Sequence, residues 1–337
     1  MSGGCARMGV LLALAASVSG SGSAAEPFNF PADRTKRSVA ITFDDLPAAK
    51  SSFQPELLDD PKAFIRRNAQ VLRELRRMKV PVKGFVSSSF QPKSWDLQDV
   101  HALLGVWDKA GAALGNHTTS HRDYHETKPE AYFADILSGQ QFLESALGKP
   151  PAGQKYFRAP YLHRGANHAA RLELMRYLDE HSYRIAPVTI DLQDWMFAEI
   201  YAWADANHDL GRKDAVLKAY LEYLEASIEH YALLSAAVLG RQTPHVALLH
   251  ANALNYDHIK EVIERFKRQD FEFITLETAL LDPVYQQMPS ASGSWIRGWQ
   301  EQEGLPWVAA PAPNRYLGSL YTDYQKRGLE KRSPAFQ

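Results

Sequence analysis

The sequence is nearly free of cysteine: Cys5 stands alone among 337 residues, which excludes a disulfide framework. Neither charge is in excess, since 38 basic and 39 acidic residues leave a formal net charge of -1 and no basic run stands out. That balance offers no footprint for nucleic acid or for an anionic membrane surface. A long hydrophobic run is missing too. The apolar stretch near the start, Met8 to Val18, is 11 residues, short of the ~20 that cross a bilayer as a helix. Repeats of solenoid or propeller length and low-complexity tracts are both absent. What is present is 45% hydrophobic, 11% aromatic and 23% charged residues, the mix of a folded protein with a large core.

The first residues have the layout of a secretory leader. Arg7 precedes the apolar run, and the small residues Ser23-Ala24-Ala25 stand before Glu26. Cleavage near Ala25 takes Arg7 and Cys5 with it, leaving 37 basic against 39 acidic residues and a charge of -2. The expected product is exported, periplasmic or secreted, with no stable membrane insertion after cleavage. Without disulfides it must hold together by burial, which ~310 residues can do.

Short β-type runs then alternate with helical patterns. Ser38 to Phe43 (SVAITF) reads as a buried strand, and Asp60-Pro61 as the cap and first turn of a helix running to about Met78. Val82 to Val86, Ala113-Leu114, Tyr156-Phe157, a Pro187-interrupted run Arg184 to Ile190, Val246 to Leu249 and Phe271 to Thr275 are further strands. Helices are expected over Leu97 to Ala110, Pro129 to Leu147, Asn167 to His181, most of 199–239, and Asp257 to Gln269. This alternation predicts an α/β fold, a closed or nearly closed barrel of about seven parallel strands. The expected organisation is a leader (1–25), a linker (26–36), the barrel (37–285) and an aromatic-rich C-terminal extension (286–337) packing on it.

Ionisable residues fall repeatedly at the ends of these strands. Asp44 and Asp45 follow SVAITF, His117 follows Ala113-Leu114-Gly115-Asn116, Arg158 follows Tyr156-Phe157, and His250 ends Val246 to Leu249. In parallel α/β folds those ends share one face, where sites form. His117 and His121 have the spacing that puts two imidazoles on one helical face, and His125 repeats it as a rival partner for His121. Two imidazoles and one carboxylate make an open, catalytic type of metal site. A second carboxylate can then take a proton from water on the metal, and a histidine from another strand can protonate a leaving group. The chemistry is that of a metal-assisted hydrolase.

Five segments in order carry a closer resemblance: Thr42-Phe43-Asp44-Asp45, His117-Thr118-Thr119-Ser120-His121, Arg158-Ala159-Pro160-Tyr161, Asp191-Leu192-Gln193-Asp194-Trp195 and Leu248-Leu249-His250. Over residues 37–282 the chain resembles the polysaccharide deacetylases, carbohydrate esterase family 4, which share the NodB homology domain. The resemblance implies a distorted (β/α) barrel, a divalent metal, most often zinc, and a glycan substrate. It implies hydrolysis of N-acetyl groups on amino sugars such as those of chitin or peptidoglycan, or alternatively of O-acetyl groups on a polymer such as acetylxylan. By the same resemblance Asp44 is the general base, Asp45, His117 and His121 the metal ligands, and Arg158 the residue that orients Asp44. The backbone N–H of Tyr161 helps hold the oxyanion, His250 is the general acid tuned by Asp194, and Trp195 and Leu248 line the acetyl pocket. Two features depart from the family pattern. Leu162-His163-Arg164 follow Tyr161 where the family commonly has glycine, and a long helical segment separates the last two motifs. His163, Arg164, Asn252 and Asn255 are further candidates for contact with a sugar.

Overall fold

The computed structural model describes residues 36–289 and 291–326; the expected leader, most of the expected linker and the last residues of the expected C-terminal extension lie outside them. Among the described residues no helix is long and apolar enough to cross a membrane.

SVAITF lies within β1 (Arg37–Leu46), whose residues are buried from Val39 onward. The other strands are β2 (Val82–Val86), β3 (Ala113–Asn116), β4 (Lys155–Phe157), β5 (Tyr183–Ile185), β6 (Ile190–Asp191), β7 (His245–His250) and β8 (Phe271–Phe273). Seven of them stand in the order β5-β4-β3-β2-β1-β7-β6, and β8 pairs with Arg37 to Val39 at the start of β1. Every ladder is parallel, as expected where helical crossovers join successive strands. The result is a curled half-barrel, the α/β architecture expected from the alternation.

The two edge strands are consecutive in sequence, so the chain itself spans the open side of the half-barrel. Among the described residues no ladder joins β5 to β6. Instead Ala186–Thr189 crosses the gap, with Ala186 N–H donating to the Phe157 carbonyl (2.7 Å) and Thr189 N–H to the Val246 carbonyl (2.9 Å). Pro187, with no N–H to offer a ladder, sits inside this crossing.

The helices have local causes. Pro61–Arg77 starts at Asp60, whose carboxylate accepts from Ala63 N–H, and buries Phe64, Val71, Leu72 and Leu75 on one face. Leu97–Lys109 opens with a reciprocal capping box between Asp96 and Asp99. Pro129–Leu147 ends at Gly148, in the left-handed conformation (φ 68°) that glycine adopts without cost. The helical region expected over 199–239 is two helices, Asp194–Ala206 and the 30-residue Leu210–Leu239, the second capped by Asp209. Residues 295–326 add three short helices, of which Trp295–Gln302 and Pro313–Leu317 pack against the 30-residue helix.

Because every strand runs the same way, all C-terminal ends face one rim. Asp44 pairs with His250 in the β1–β7 register. His117 follows β3 and Arg158 follows β4, while Asp191 ends β6, three residues before Asp194.

Candidate metal and acid–base site

Side chains two apart on a strand share a face, so Thr42 and Asp44 both point into the barrel. There they meet Arg158, which is 1% exposed. Its Nη1 donates to both Asp44 oxygens (3.1 and 3.2 Å), Nη2 to Thr42 Oγ1 (3.1 Å), and Nε to the Ala186 carbonyl (3.0 Å). Nη2 also reaches the Pro187 carbonyl (3.4 Å), and the guanidinium lies over the Phe85 ring. One arginine therefore clamps Asp44 and satisfies two carbonyls of the crossing that no strand partners. Burial pulls the Arg158 pKa down while Asp44 holds it up.

Asp45, His117 and His121 form the next group. Asp45 Oδ1 is 3.5 Å from His117 Nε2 and 3.6 Å from His121 Nε2. That oxygen is buried and accepts no hydrogen bond. His117 Nδ1 is paired with the Arg158 carbonyl at 2.8 Å, which aims Nε2 at Asp45. Burial first, against the pull of Asp45, lowers the His121 pKa to about 4, so its ring is neutral and free to ligate at neutral pH. An orphaned acceptor typically costs about 1–3 kcal/mol. A carboxylate oxygen left bare between two imidazole nitrogens matches the donor set of a divalent cation.

The expectation that His117 and His121 share a helical face is corrected. They lie in a turn-rich loop, with Thr118 at φ 64° and His121 at φ 53°. A stretch of left-handed backbone, unlike a helix, folds the two rings back on each other (centroids 4.9 Å apart, planes at 70°). Six of the ten non-glycine residues with positive φ among those described lie at or beside this site: Asp45, Thr118, His121, Tyr161, Leu162 and Gln193. Strain of this kind persists where the surroundings impose it.

Those surroundings include residues that the sequence reading passed over. Gly139 on the helix Pro129–Leu147 faces the loop so closely that a Cβ would sit 2.5 Å from Asn116 Oδ1 and 2.8 Å from the Thr118 carbonyl carbon. Asn116 accepts from Thr118 N–H (2.8 Å) and donates to the Ile136 carbonyl (2.7 Å). Asp135, on the same helix, accepts Ser120 N–H at 3.1 Å. The visible signal was an acid and a glycine on the buried side of an amphipathic helix.

Across the pocket His250 Nδ1 pairs with Asp194 Oδ1 at 2.6 Å. Asp194 is fully buried, and its Oδ2 accepts from His250 N–H, Asn252 Nδ2 and Asn255 Nδ2 (2.9, 2.7 and 2.5 Å). Asn252 and Asn255 thus hold this acid. Burial pulls the His250 imidazolium down, but the Asp194 charge and hydrogen bond, with Asp45 and Asp44 nearby, push its pKa up to about 10. Its side chain keeps 16% exposure and lines the pocket. The pocket, about 350 Å³, is lined by Asp44, Asp45, His117, His121 and His250 together with Tyr161, Trp195 and Leu248.

Residues 32–178 match the family model of the polysaccharide deacetylases. The family resemblance read from the motifs is borne out. The matched span holds Asp44, Asp45, His117, His121, Arg158 and Tyr161, while Asp194, Trp195, Leu248 and His250 come after it. No curated protein shows significant similarity to the chain. Solved structures that resemble it include the chitin deacetylase of the fungal pathogen Colletotrichum lindemuthianum, at 18% identity over 73% of this chain and 88% of that one, with a TM-score of 0.48. The peptidoglycan N-acetylglucosamine deacetylase Bc1960 is similar at 20% identity over 75% and 91%, with a TM-score of 0.44. A pseudoenzyme of carbohydrate esterase family 4 from Bacillus anthracis, BA3943, is similar at 13% identity over 73% and 66%, with a TM-score of 0.44.

A second Asp-His-His group lies beyond His121. Asp123 Oδ1 accepts His125 N–H (2.7 Å) and pairs with His163 Nδ1 (2.8 Å). The His125 and His163 rings stack, centroids 3.7 Å apart and planes within 4°, and His125 Nε2 meets Ser292 Oγ at 3.0 Å. His125 therefore stands with His163, away from His117 and Asp45. Arg164 turns from the pocket to the Gly293 carbonyl (3.0 Å) and lies over the Trp295 ring.

Proposed function

We propose that this chain is a metal-dependent hydrolase that removes N-acetyl groups from an amino-sugar polysaccharide or oligosaccharide, releasing acetate. One observation carries the reading: the bare Asp45 oxygen between two imidazoles shares a pocket with a clamped carboxylate, Asp44, and a histidine–aspartate pair, His250–Asp194. Asp45, His117 and His121 would hold the cation, and this donor set suits zinc with positions left open. When bound, the ion supplies Lewis acidity toward an acetyl carbonyl and lowers the pKa of water.

The protein's own groups do the rest. Asp44, gripped at both oxygens by Arg158, accepts the proton of the attacking water at its carboxylate. The backbone N–H of Tyr161 is the donor assigned to the developing oxyanion. Trp195 and Leu248 offer an apolar seat for the acetyl methyl on the pocket wall. His250 Nδ1 is committed to Asp194, so Nε2 is the atom that gives a proton to the departing nitrogen. An amide nitrogen leaves poorly without that proton, and an ester oxygen needs it less. A histidine held protonated therefore favours amide over ester hydrolysis. Export by the leader at 1–25 belongs to the same proposal.

The test is acetate release from N-acetylglucosamine oligomers, peptidoglycan fragments and acetylated xylan, with chelation and zinc add-back. The expected result is release from an N-acetylated glycan that disappears on chelation and returns with zinc. Release from the xylan ester alone, unchanged in His250→Ala, would replace this reading with an O-acetyl esterase.

A further inference from the structure

Beside the catalytic pocket lies a second cavity of about 330 Å³, and the two share a wall, because Asp191 and Gln193 face both. Its far side comes from the C-terminal extension: Arg297 and Glu301, one turn apart on the helix Trp295–Gln302, and Trp307 just beyond. Residues four apart lie on one helical face, so both charged side chains point into the same space. The Arg297 guanidinium sits 4.7 Å from the centre of the Trp307 ring and steadies it. Trp307 is nevertheless 63% exposed, the one aromatic among the exposed large hydrophobic side chains of the described residues. An indole held in water beside a cavity of ligand size is a binding surface more readily than a packing element.

The helix that presents these groups is tied to the barrel seam. Trp295 N–H donates to the Val188 carbonyl (2.7 Å), Ser294 Oγ to the Thr189 carbonyl (3.0 Å), and Gly293 N–H to the Leu162 carbonyl (3.1 Å). Gly298 lets the helix lie against Pro289, since a Cβ there would come within 2.5 Å of the proline Cβ. The crossing that Arg158 pins inside the barrel therefore also fixes the distance from Asp44 to the second cavity. Its lining has donors (Arg297, Gln193), acceptors (Asp191, Glu301) and a flat apolar face. With both signs of charge present, a hydroxyl-rich neutral chain fits better than a polyanion.

The geometry points to a second sugar subsite, built by the C-terminal extension, that takes the unit next to the one whose acetyl group enters the catalytic pocket. This rests on the deacetylase reading above for its substrate, but its cavity stands on its own residues. Binding there is remote from the chemistry, so it lowers KM for long substrates and leaves kcat alone.

The experiment compares wild type, Trp307→Ala, Trp307→Phe and Arg297→Ala on N-acetylglucosamine oligomers of one to five units, with binding of the pentamer measured by calorimetry. Trp307→Ala should raise KM for the pentamer about tenfold, the loss of one anchoring side chain, with kcat and activity on the single unit unchanged. Trp307→Phe should recover most of the affinity by keeping a flat face. If wild type releases acetate and Trp307→Ala matches it at every length, the subsite is overturned and the deacetylase reading survives. If wild type releases no acetate, the deacetylase reading fails, and calorimetry alone decides the subsite: pentamer binding weakened in Trp307→Ala sustains it, and equal or absent binding overturns it.

Discussion

Two groups among the described residues contain one aspartate and two histidines with potential ligand atoms within 4.8 Å of one another, yet they are in opposite states. In the Asp123–His125–His163 group the carboxylate is already satisfied by a backbone N–H and an imidazole, and the two rings are parallel. Imidazole lone pairs lie in the ring plane, so two parallel planes offer no common point for an ion. In the Asp45–His117–His121 group the ring planes stand at 70°, and the oxygen between them has no hydrogen bond. Composition is the same; what differs is an acceptor left bare. Burial and the neighbouring His163 also hold the His125 pKa down.

The largest effects should separate the two groups. Asp45→Asn and His121→Ala should lower acetate release by about four orders of magnitude, the scale expected when Lewis-acid help of several kcal/mol is lost. His125→Ala should keep activity within about threefold, since its ring closes a hydrogen-bonded stack and not a metal site. Comparable losses in both would erase the distinction.

Next come the acid–base partners. His250→Ala should cost about 10²–10⁴-fold in kcat with metal content unchanged. The sign for pH follows from the raised pKa of His250: the group stays protonated through neutrality and loses its proton as pH climbs toward about 10. Asp194→Asn removes the charge that raises it, so the alkaline limb of the pH–rate profile should move to lower pH. A limb that stays in place would detach His250 from the proton transfer.

A smaller effect is expected one layer out. Gly139→Ala forces a methyl against Asn116 and Thr118, and such overpacking costs about 1–3 kcal/mol. Thermal unfolding should shift down, and zinc affinity should weaken with it because the strained loop carries His117 and His121. A variant equal to wild type in both would show that the helix does not hold the loop.

The smallest effect concerns stability alone. His245 is buried, with Nδ1 on Thr189 Oγ1 and Nε2 unpartnered, and burial lowers its pKa to about 3. The folded state therefore refuses a proton that the unfolded chain accepts below about 6.5. Stability is full above that pH and falls by about 1.4 kcal/mol per unit as pH drops toward 3. His230, lowered to about 4 mainly by burial, acts in the same direction. His245→Gln should retain about 2 kcal/mol more than wild type between pH 6.5 and 5 in urea unfolding.

Much of this was legible from sequence because it is local. Alternating strands and helices gave the parallel sheet, and strand-end positions gave Asp44, His117, Arg158 and His250 one rim. The loop geometry was not, because a four-residue spacing suits a turn as well as a helix, and only Asn116 at the end of β3, with Asp135 and Gly139 of the helix Pro129–Leu147, selects the turn. Arg158 read as the partner of Asp44. Its hold on the Ala186 and Pro187 carbonyls depends on a ladder that β5 and β6 do not form, a non-local fact that spacing cannot carry. The second Asp-His-His group was invisible for the same reason, since His163 joins Asp123 and His125 only when the chain returns from β4.

Calorimetric titration of the metal-free protein with zinc addresses the difference between the two groups most directly. One tight equivalent should bind, abolished by Asp45→Asn and untouched by Asp123→Asn. Two tight equivalents, or one that vanishes with Asp123→Asn and survives Asp45→Asn, would contradict the account.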